Sequence, residues 1–102
     1  MTVGIEWATP AFAQLEALPQ SLAFEVVRRV DVLSAFPEAG ARVQSADPGL
    51  KSCRQLIVRR SHRVVYDYNE AEGTVYILAV QHCRQRLPSG RDLKRRRSPE
   101  NG

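Results

Sequence analysis

Arginine and histidine side chains that could act on an anionic group are concentrated in the second half of this sequence. Arg63 follows His62, and His82 stands two positions before Arg84. A guanidinium stabilises negative charge that develops in a reaction, and an imidazole transfers protons near neutral pH. These residue types therefore permit charge stabilisation and acid–base chemistry that need no metal ion.

The charge distribution also points to an anionic partner. The net charge is +4, but residues 1–50 carry three basic and six acidic side chains, whereas residues 51–102 carry twelve and five. Five of these basic residues lie in the segment 91–102, and without it the chain is nearly neutral. Such an asymmetry favours nucleic acid or an acidic protein segment as the partner. A solvated basic tail is the alternative.

The composition excludes several classes of protein. A chain of 102 residues with 43% hydrophobic content is expected to form one domain. No apolar run approaches the roughly 20 residues that span a bilayer, and the N-terminus lacks the features of a secretory signal. We therefore expect no membrane association and a cytoplasmic location. Cys53 and Cys83 have neither the count nor the spacing of a zinc site or a disulfide framework, so the sequence predicts reduced thiols and no metal ion or other cofactor.

Hydrophobic periodicity predicts one strand and two helices near the N-terminus. Apolar residues alternate over residues 3–7, as in a strand. Thr9 is expected to cap a short helix that starts at Pro10, because proline is tolerated at the first helical position. After Pro19, apolar residues recur at spacings of three and four over residues 20–36, which predicts a longer amphipathic helix.

Three further strands are predicted after a loop over residues 38–51. They span residues 53–59, 63–68 and 74–81, and their short connections indicate an antiparallel meander. Alternation on the middle strand places one set of side chains against the helices and the other set, which includes Arg63, on the uncovered face. The residues expected in the core are Trp7, Leu15, Val26, Val30, Leu33, Val64, Tyr66 and Ile77.

The predicted fold class is α+β, with the element order β-α-α-β-β-β. A helical hairpin is expected to pack on one face of a four-stranded, mostly antiparallel sheet. Residues 1–90 are expected to form this domain, and the basic segment 91–102 is expected to be a disordered tail.

Ordered motifs accompany this pattern of elements. They are Leu18-Pro19, Phe36-Pro37 with Gly40, Arg54 with Leu56, the run from His62 to Tyr66, and the segment from Val75 to His82 followed by Arg84. Over residues 3 to about 88 the set resembles the RelE/ParE superfamily of bacterial toxins. The most specific part of the resemblance is Arg63-x-x-Tyr66 followed by a hydrophobic strand that ends in His82-x-Arg84.

The resemblance implies the toxin of a type II toxin–antitoxin pair, with a cognate antitoxin as its partner. RelE-like members cut messenger RNA in the ribosomal A site without a metal ion, whereas ParE-like members inhibit DNA gyrase. The short first helix is closer to the RelE-like layout. The first choice is therefore a ribosome-dependent mRNA endonuclease, whose partner is mRNA on the ribosome. The alternatives are a gyrase inhibitor and an inactive binding module.

For the endonuclease, the resemblance implies three catalytic residues. Arg63 matches the arginine that contacts the scissile phosphate, whereas His82 and Arg84 stand where the family often places an acid/base or a phosphate ligand. A surface ion pair with Asp67 is the alternative for Arg63, and a plain strand-end residue is the alternative for His82.

Four further basic residues are predicted to bind RNA. Lys51 and Arg54 lie at the start of the second strand, the side from which nuclease members present basic residues. Arg59 and Arg60 lie in a hairpin turn, where charge alone could hold a nucleic-acid backbone. Two features favour the gyrase alternative: Arg54-x-Leu56 is also seen in ParE-like members, and no tyrosine follows Tyr76.

Overall fold

A five-stranded sheet forms the centre of the computed structural model, which describes residues 2–97. In chain order the strands are β1 (Gly4–Trp7), β2 (Ala41–Arg42), β3 (Cys53–Val58), β4 (His62–Asn69) and β5 (Thr74–His82). They lie side by side in the order β1-β5-β4-β3-β2. β1 is parallel to β5, and each of the other neighbouring pairs is antiparallel.

The predicted α+β class is confirmed, but the strand count of four was wrong. The additional strand, β2, has two residues and pairs with Arg54 and Gln55 of β3. It lies in the segment that the sequence predicted to be a loop. Two residues are too few to show an alternating pattern, so such a strand leaves no periodic signal.

Two helices, α1 (Thr9–Glu16) and α2 (Gln20–Asp31), cover one face of the sheet. The capping residue of α1 is Ala8 rather than Thr9, which is the first residue of the helix. α2 ends earlier than predicted and continues as a 3₁₀ turn over Val32–Ser34. The Ser34 hydroxyl donates to the Asp31 carbonyl at 2.9 Å, and such a local bond competes with the α-helical pattern.

The core between the helices and the sheet contains most of the residues predicted for it. Trp7 is the exception, because it is partly buried and packs against the edge of this core. β4 presents Val64 and Tyr66 to the helices, which confirms the predicted face. The buried members of the predicted set are Leu15, Val26, Val30, Leu33, Val64, Tyr66 and Ile77.

A second apolar cluster covers part of the opposite face. Its buried residues are Val43, Leu50, Cys53, Val65, Leu78, Ala79 and Leu93. The pairing between β4 and β5 shifts register opposite Leu78, and this bulge lets Leu78 and Ala79 both join the same cluster. The face that the sequence left uncovered is therefore closed over a part of its area.

Helix α3 (Gly90–Arg96) completes the second cluster. The Ser89 side chain accepts a hydrogen bond from the Asp92 N–H and caps the helix, and Leu93 is fully buried. Arg96 donates to the Leu78 carbonyl at 2.7 Å and fastens the helix to β5. The expectation of a disordered tail is thus wrong for residues 91–97, because a cap and one buried leucine offset its high charge. Residues 98–102 lie outside the described residues.

The carboxylate of Asp47 joins the start of α3 to a second 3₁₀ turn, Pro48–Leu50. It accepts hydrogen bonds from the N–H of Gly49 at 2.9 Å and of Gly90 at 2.8 Å. These two hydrogen bonds lower the pKa of Asp47, and the bond from Gly90 has the larger effect. The backbones of Gly49 and Gly90 approach so closely that a Cβ at Gly90 would lie 2.5 Å from the Gly49 Cα. In the described part of the chain, no helix has the length and apolar character needed to cross a membrane.

Candidate functional site

Arg63 lies near the start of β4, on the face opposite the helices. Its neighbours across the sheet are Ile57 on β3 and Gln81 on β5. The second cluster does not include these three positions, and Ile57 is 43% exposed. We call Ile57 and Arg63, together with the buried Gln81 beside them, the open end of this face. The prediction that Arg63 projects away from the helices is confirmed.

Two neutral oxygens fix the guanidinium of Arg63. Nε donates to the Gln81 side-chain oxygen at 3.1 Å, and Nη2 donates to the Gln85 carbonyl at 2.6 Å. The predicted alternative, an ion pair with Asp67, is not formed. A carboxylate oxygen of Asp67 instead lies 3.0 Å from Nε of Arg97. The two groups form an ion pair, but their orientation does not meet the geometry of a hydrogen bond. Arg63 thus keeps its positive charge without a carboxylate partner in these contacts.

His82 lies at the end of β5 on the other face of the sheet. It pairs across the strands with His62, and the two ring centres are 5.0 Å apart in an edge-to-face arrangement. Because Val64 and Val80 belong to the core under the helices, strand alternation places the two histidines on that side. Arg63 and His82, predicted to act together, therefore project from opposite faces.

The turn over residues 83–86 connects these two positions. Arg63 contacts it through the Gln85 carbonyl. The N–H of His82 donates to the Gln85 side-chain oxygen at 2.9 Å, and Nδ1 of His82 accepts from the Arg84 N–H at 3.0 Å. The side chain of Arg84, the third predicted catalytic residue, is exposed in this turn. The three residues thus meet at one end of the sheet without sharing one face.

The two histidines differ in their surroundings. Nδ1 of His62 lies 2.8 Å from the Ser61 hydroxyl. Burial, and secondarily the charge of His82, lower the pKa of His62. A cavity of about 210 Å³ adjoins both rings and extends to Gln14 and Leu18 at the end of α1.

Arg54, predicted to bind RNA, contacts the chain segment that follows α2. Its Nη1 donates to the carbonyls of Gly40 at 2.8 Å and Glu38 at 3.2 Å, and Nη2 lies 3.7 Å from the Glu38 carboxylate. The hydroxyl of Tyr66 accepts from the Gly40 N–H at 2.8 Å. A Cβ at Gly40 would lie 2.8 Å from this ring, so only glycine fits here. Lys51 is exposed beside this region, and its side chain is available for a ligand.

Both hairpin arginines are exposed, but Arg59 forms an ion pair. Nε of Arg59 donates to the Glu25 carboxylate at 2.7 Å, which ties the turn to α2. Arg59 and Arg60 both have positive φ angles, 55° and 62°, a backbone conformation that costs a non-glycine residue about 1–2 kcal/mol. Arg60 is exposed at the tip. Of the four predicted RNA-binding residues, Lys51 and Arg60 therefore remain the more accessible pair.

Three glutamines at this end of the sheet were not singled out by sequence reasoning. The Gln81 side chain and the Gln85 backbone carbonyl orient Arg63. The Gln85 side chain accepts from the His82 N–H, and that of Gln14 on α1 accepts from the Val80 N–H at 2.8 Å. The pairing of His62 with His82 was also missed. This pairing could have been predicted from the hairpin of β4 and β5. In an antiparallel hairpin the start of the first strand lies opposite the end of the second, which places His62 opposite His82.

Sulfur and carboxylate groups do not form a metal site within residues 2–97, where no three His, Cys, Asp or Glu side chains are close enough to share an ion. Cys53 and Cys83 are free. Burial raises the pKa of the Cys53 thiol, against the opposing charge of nearby Arg97.

The chain is similar to known toxins in sequence and in structure. Residues 5–87 match the model of the ParE toxin of type II toxin–antitoxin systems, parDE. A search of curated proteins finds no match. Among solved structures, the RelBE2 toxin–antitoxin complex of Mycobacterium tuberculosis matches with 26% identity and a TM-score of 0.68, covering 80% of this chain and 99% of that chain.

Two more distant structures share the fold. The isolated RelE toxin of E. coli has 17% identity and a TM-score of 0.66, with 91% of this chain and 97% of that chain covered. The chromosomal ParDE system of P. aeruginosa has 20% identity and a TM-score of 0.62, with 79% and 96% covered. Because the family model spans most of the chain, the protein belongs to the ParE toxin family of type II toxin–antitoxin systems, within the RelE/ParE superfamily.

Proposed function

We propose that this toxin is a ribosome-dependent mRNA endonuclease that inhibits translation. The observation that carries the proposal is the fixed guanidinium of Arg63. It lies on an open sheet surface, is oriented by Gln81 and Gln85, and has no carboxylate among these contacts. A preoriented cation of this kind suits a phosphate group, because it needs little reorganisation when charge develops there.

The chemistry required is attack of the ribose 2′-oxygen on the adjacent phosphorus, with departure of the 5′-oxygen. In the proposal Arg63 holds the non-bridging phosphate oxygens and stabilises their growing charge. His82 is the candidate for proton transfer, because imidazole is suited to this role near neutral pH. RNA would have to cross the turn 83–86 to meet both residues, since they project from opposite faces. Arg84, exposed on that turn, would contact the backbone at the crossing.

The remaining predicted RNA-binding residues have unequal roles in this proposal. Lys51 and Arg60 are exposed and would attract RNA by charge, without reading its sequence. Arg54 and Arg59 are engaged in bonds to Gly40 and Glu25, so their main contribution would be to hold the scaffold.

Inhibition of DNA gyrase is the second candidate function. The specific observation in its favour is the separation of Arg63 from His82, which leaves the open end with a phosphate-binding cation but no imidazole on the same face. A surface of this kind is better suited to binding than to proton transfer. The ParDE system of P. aeruginosa is among the structural neighbours.

A cognate antitoxin is the partner in either case, since neighbours of this chain were solved as toxin–antitoxin complexes. Large apolar side chains are exposed along α2 and the turn after it, including Phe24 at 63% and Phe36 at 65%. Arg28 and Arg29 stand beside them on α2. An amphipathic, acidic antitoxin segment would match both the apolar and the basic side chains.

Two assays run side by side test the proposal. The purified toxin is added to a cell-free translation reaction and to a gyrase supercoiling reaction. We expect discrete mRNA cleavage that requires ribosomes, unchanged supercoiling, and relief of inhibition by the antitoxin encoded beside the toxin gene. Inhibited supercoiling with intact mRNA would establish the second candidate, and no effect in either assay would leave a binding module.

A further inference from the structure

The cavity beside the two histidines is lined by several polar side chains as well as by apolar ones. It lies between the end of α1 and the ends of β4 and β5, and it adjoins Gln14, His62, His82 and Gln85. Its apolar wall includes Leu18 and Val80. The cavity lies on the helix side of the sheet and reaches Gln81, which borders Arg63. The Gln81 amide is already engaged, because its oxygen accepts from Arg63 and its NH₂ donates to the Arg86 carbonyl.

Backbone N–H groups occupy an acceptor atom on three of these four side chains. The Gln14 oxygen accepts from the Val80 N–H at 2.8 Å, and the Gln85 oxygen accepts from the His82 N–H at 2.9 Å. Nδ1 of His82 accepts from the Arg84 N–H at 3.0 Å. A backbone N–H can only donate, so each of these N–H groups must face an acceptor atom. The bonds therefore determine the orientation of the two amides and show that Nδ1 of His82 carries no proton.

The polar groups left for a ligand are consequently donors. Gln14 and Gln85 each retain a side-chain NH₂, and neutral His82 carries its proton on Nε2. His62 can also offer Nε2–H, with the Ser61 hydroxyl donating to its Nδ1. The same tautomer makes His82 a poor metal ligand, because a metal ion requires the lone pair of a deprotonated nitrogen.

We infer that Gln14, His62, His82 and Gln85 form a binding site for a phosphate group, distinct from Arg63. Four donors from α1, β4, β5 and the following turn match the several acceptor oxygens of a tetrahedral anion better than the two coplanar oxygens of a carboxylate. The cavity of about 210 Å³ has the volume of roughly seven liquid waters, enough for a phosphate with part of an attached ribose. Exposed Arg60 and Arg84 lie on the two turns next to the histidines and favour an anion at this end. The inference holds whether the toxin cuts RNA or binds gyrase.

Titration of the wild-type protein with inorganic phosphate, followed by NMR of the imidazole signals, tests the site directly. Sodium chloride at matched ionic strength is the reference. We expect saturable shifts of both His62 and His82, with acetate at least 10-fold weaker. The absence of saturable shifts, or equal binding of acetate, would overturn the phosphate assignment.

Two variants determine where the phosphate is bound. Gln14→Glu keeps an oxygen for the Val80 N–H but replaces the NH₂ donor by a negative oxygen, so phosphate binding should weaken at least 10-fold. Gln85→Glu is the second variant, for use if the first folds poorly. It keeps an oxygen for the His82 N–H and likewise replaces the NH₂ donor by a negative oxygen. Gln44→Glu, on an exposed loop position, is the charge-matched control and should bind like the wild type. Loss of binding in Arg63→Ala, with retention in Gln14→Glu, would place the phosphate at the open end and overturn the inference.

The source of the phosphate is distinguished with a nucleoside monophosphate and a short RNA oligonucleotide. RNA that binds at least 10-fold more tightly than free phosphate, in a manner sensitive to Gln14→Glu, identifies a nucleic-acid backbone as the ligand. Binding of the small anions alone identifies a free phosphate or nucleotide site. A failed translation assay combined with intact phosphate binding would reject the endonuclease and leave this site in place.

Discussion

The two faces of the sheet are closed to different extents, and the proposed functional surface lies on the less covered face. On one face, α1 and α2 cover an apolar core along the length of the sheet. On the other face, the second cluster under α3 covers one part and does not extend over Ile57 and Arg63, which lie beside the buried Gln81. The position of Arg63 beyond the second cluster makes it available to a partner. We therefore expect substitutions on the helix-covered face to change mainly stability, and substitutions on the partly covered face to change either stability or the proposed binding.

A charge in the helix-covered core should have the largest effect on stability. Val64 is fully buried under the helices, so Val64→Asp should prevent folding, since an unpaired buried carboxylate costs several kcal/mol, comparable to a stability of roughly 5–15 kcal/mol. Loss of the cooperative thermal transition checks this. Val32→Asp places the same charge on an exposed position and should retain the transition.

Truncation of Leu93 tests whether α3 covers the second apolar cluster on the sheet face opposite α1 and α2. Leu93→Ala should lower the free energy of unfolding by about 2–4 kcal/mol, the usual cost of such a cavity. Lys94→Ala, exposed on the same helix, should change it by less than about 0.5 kcal/mol. Equal denaturation midpoints for the two variants would mean that α3 does not cover the sheet in solution.

The hydroxyl of Tyr66 should have an intermediate effect, because it bonds the segment after α2 to the sheet. Tyr66→Phe leaves the buried Gly40 N–H without its acceptor, which should cost about 1–3 kcal/mol. Tyr76→Phe is the matched control, since its hydroxyl donates to Glu72 in exposed surroundings. Urea denaturation of both variants checks the difference, and an equal loss would contradict the role assigned to Tyr66.

The smallest expected effect is the change in the pH dependence of stability when His62 is replaced. The pKa of His62 is lowered in the folded state, first by burial and then by His82. Below the ordinary histidine pKa of about 6.5 the unfolded chain binds more protons, so stability should fall as the pH decreases through this range. His62→Gln should have a Tm that declines less between pH 7.5 and 5.5 than that of the wild type. A steeper decline would contradict the sign of the shift.

Sequence reasoning identified the elements that have a repeated apolar pattern. The helices and the three long strands carry such a pattern, and so the buried faces of α2 and β4 were correctly assigned. β2 and α3 were missed because each depends on tertiary pairing: one on two residues against β3, the other on a single leucine and a cap. β2 has two residues, and α3 has seven residues with one buried apolar side chain besides Gly90, so neither contains a repeated apolar pattern.

The candidate site was predictable only as a set of residues. Family resemblance selected Arg63 and His82, but alternation along β4 and β5 places them on opposite faces. The glutamines that orient Arg63 carry no distinctive sequence signal, because their role depends on a turn whose geometry the pattern does not specify. The sequence pattern also does not show that Arg54 bonds to Gly40 or that Arg59 bonds to Glu25, because these partners are distant in the chain.

The most direct test of the proposed function is the rate of mRNA cleavage on ribosomes by Arg63→Ala. Loss of a preoriented cation on the transition-state phosphate should cost about 3 kcal/mol, or on the order of 100-fold in rate. This variant should fold, although it removes two hydrogen bonds, one to the side chain of the buried Gln81 and one to the Gln85 carbonyl, at a cost of about 1–3 kcal/mol. Arg29→Ala removes an exposed charge from α2 and should cleave at the wild-type rate. Cleavage by Arg63→Ala at the rate of this control, with both variants folded, would contradict the assignment of the open end as the functional surface.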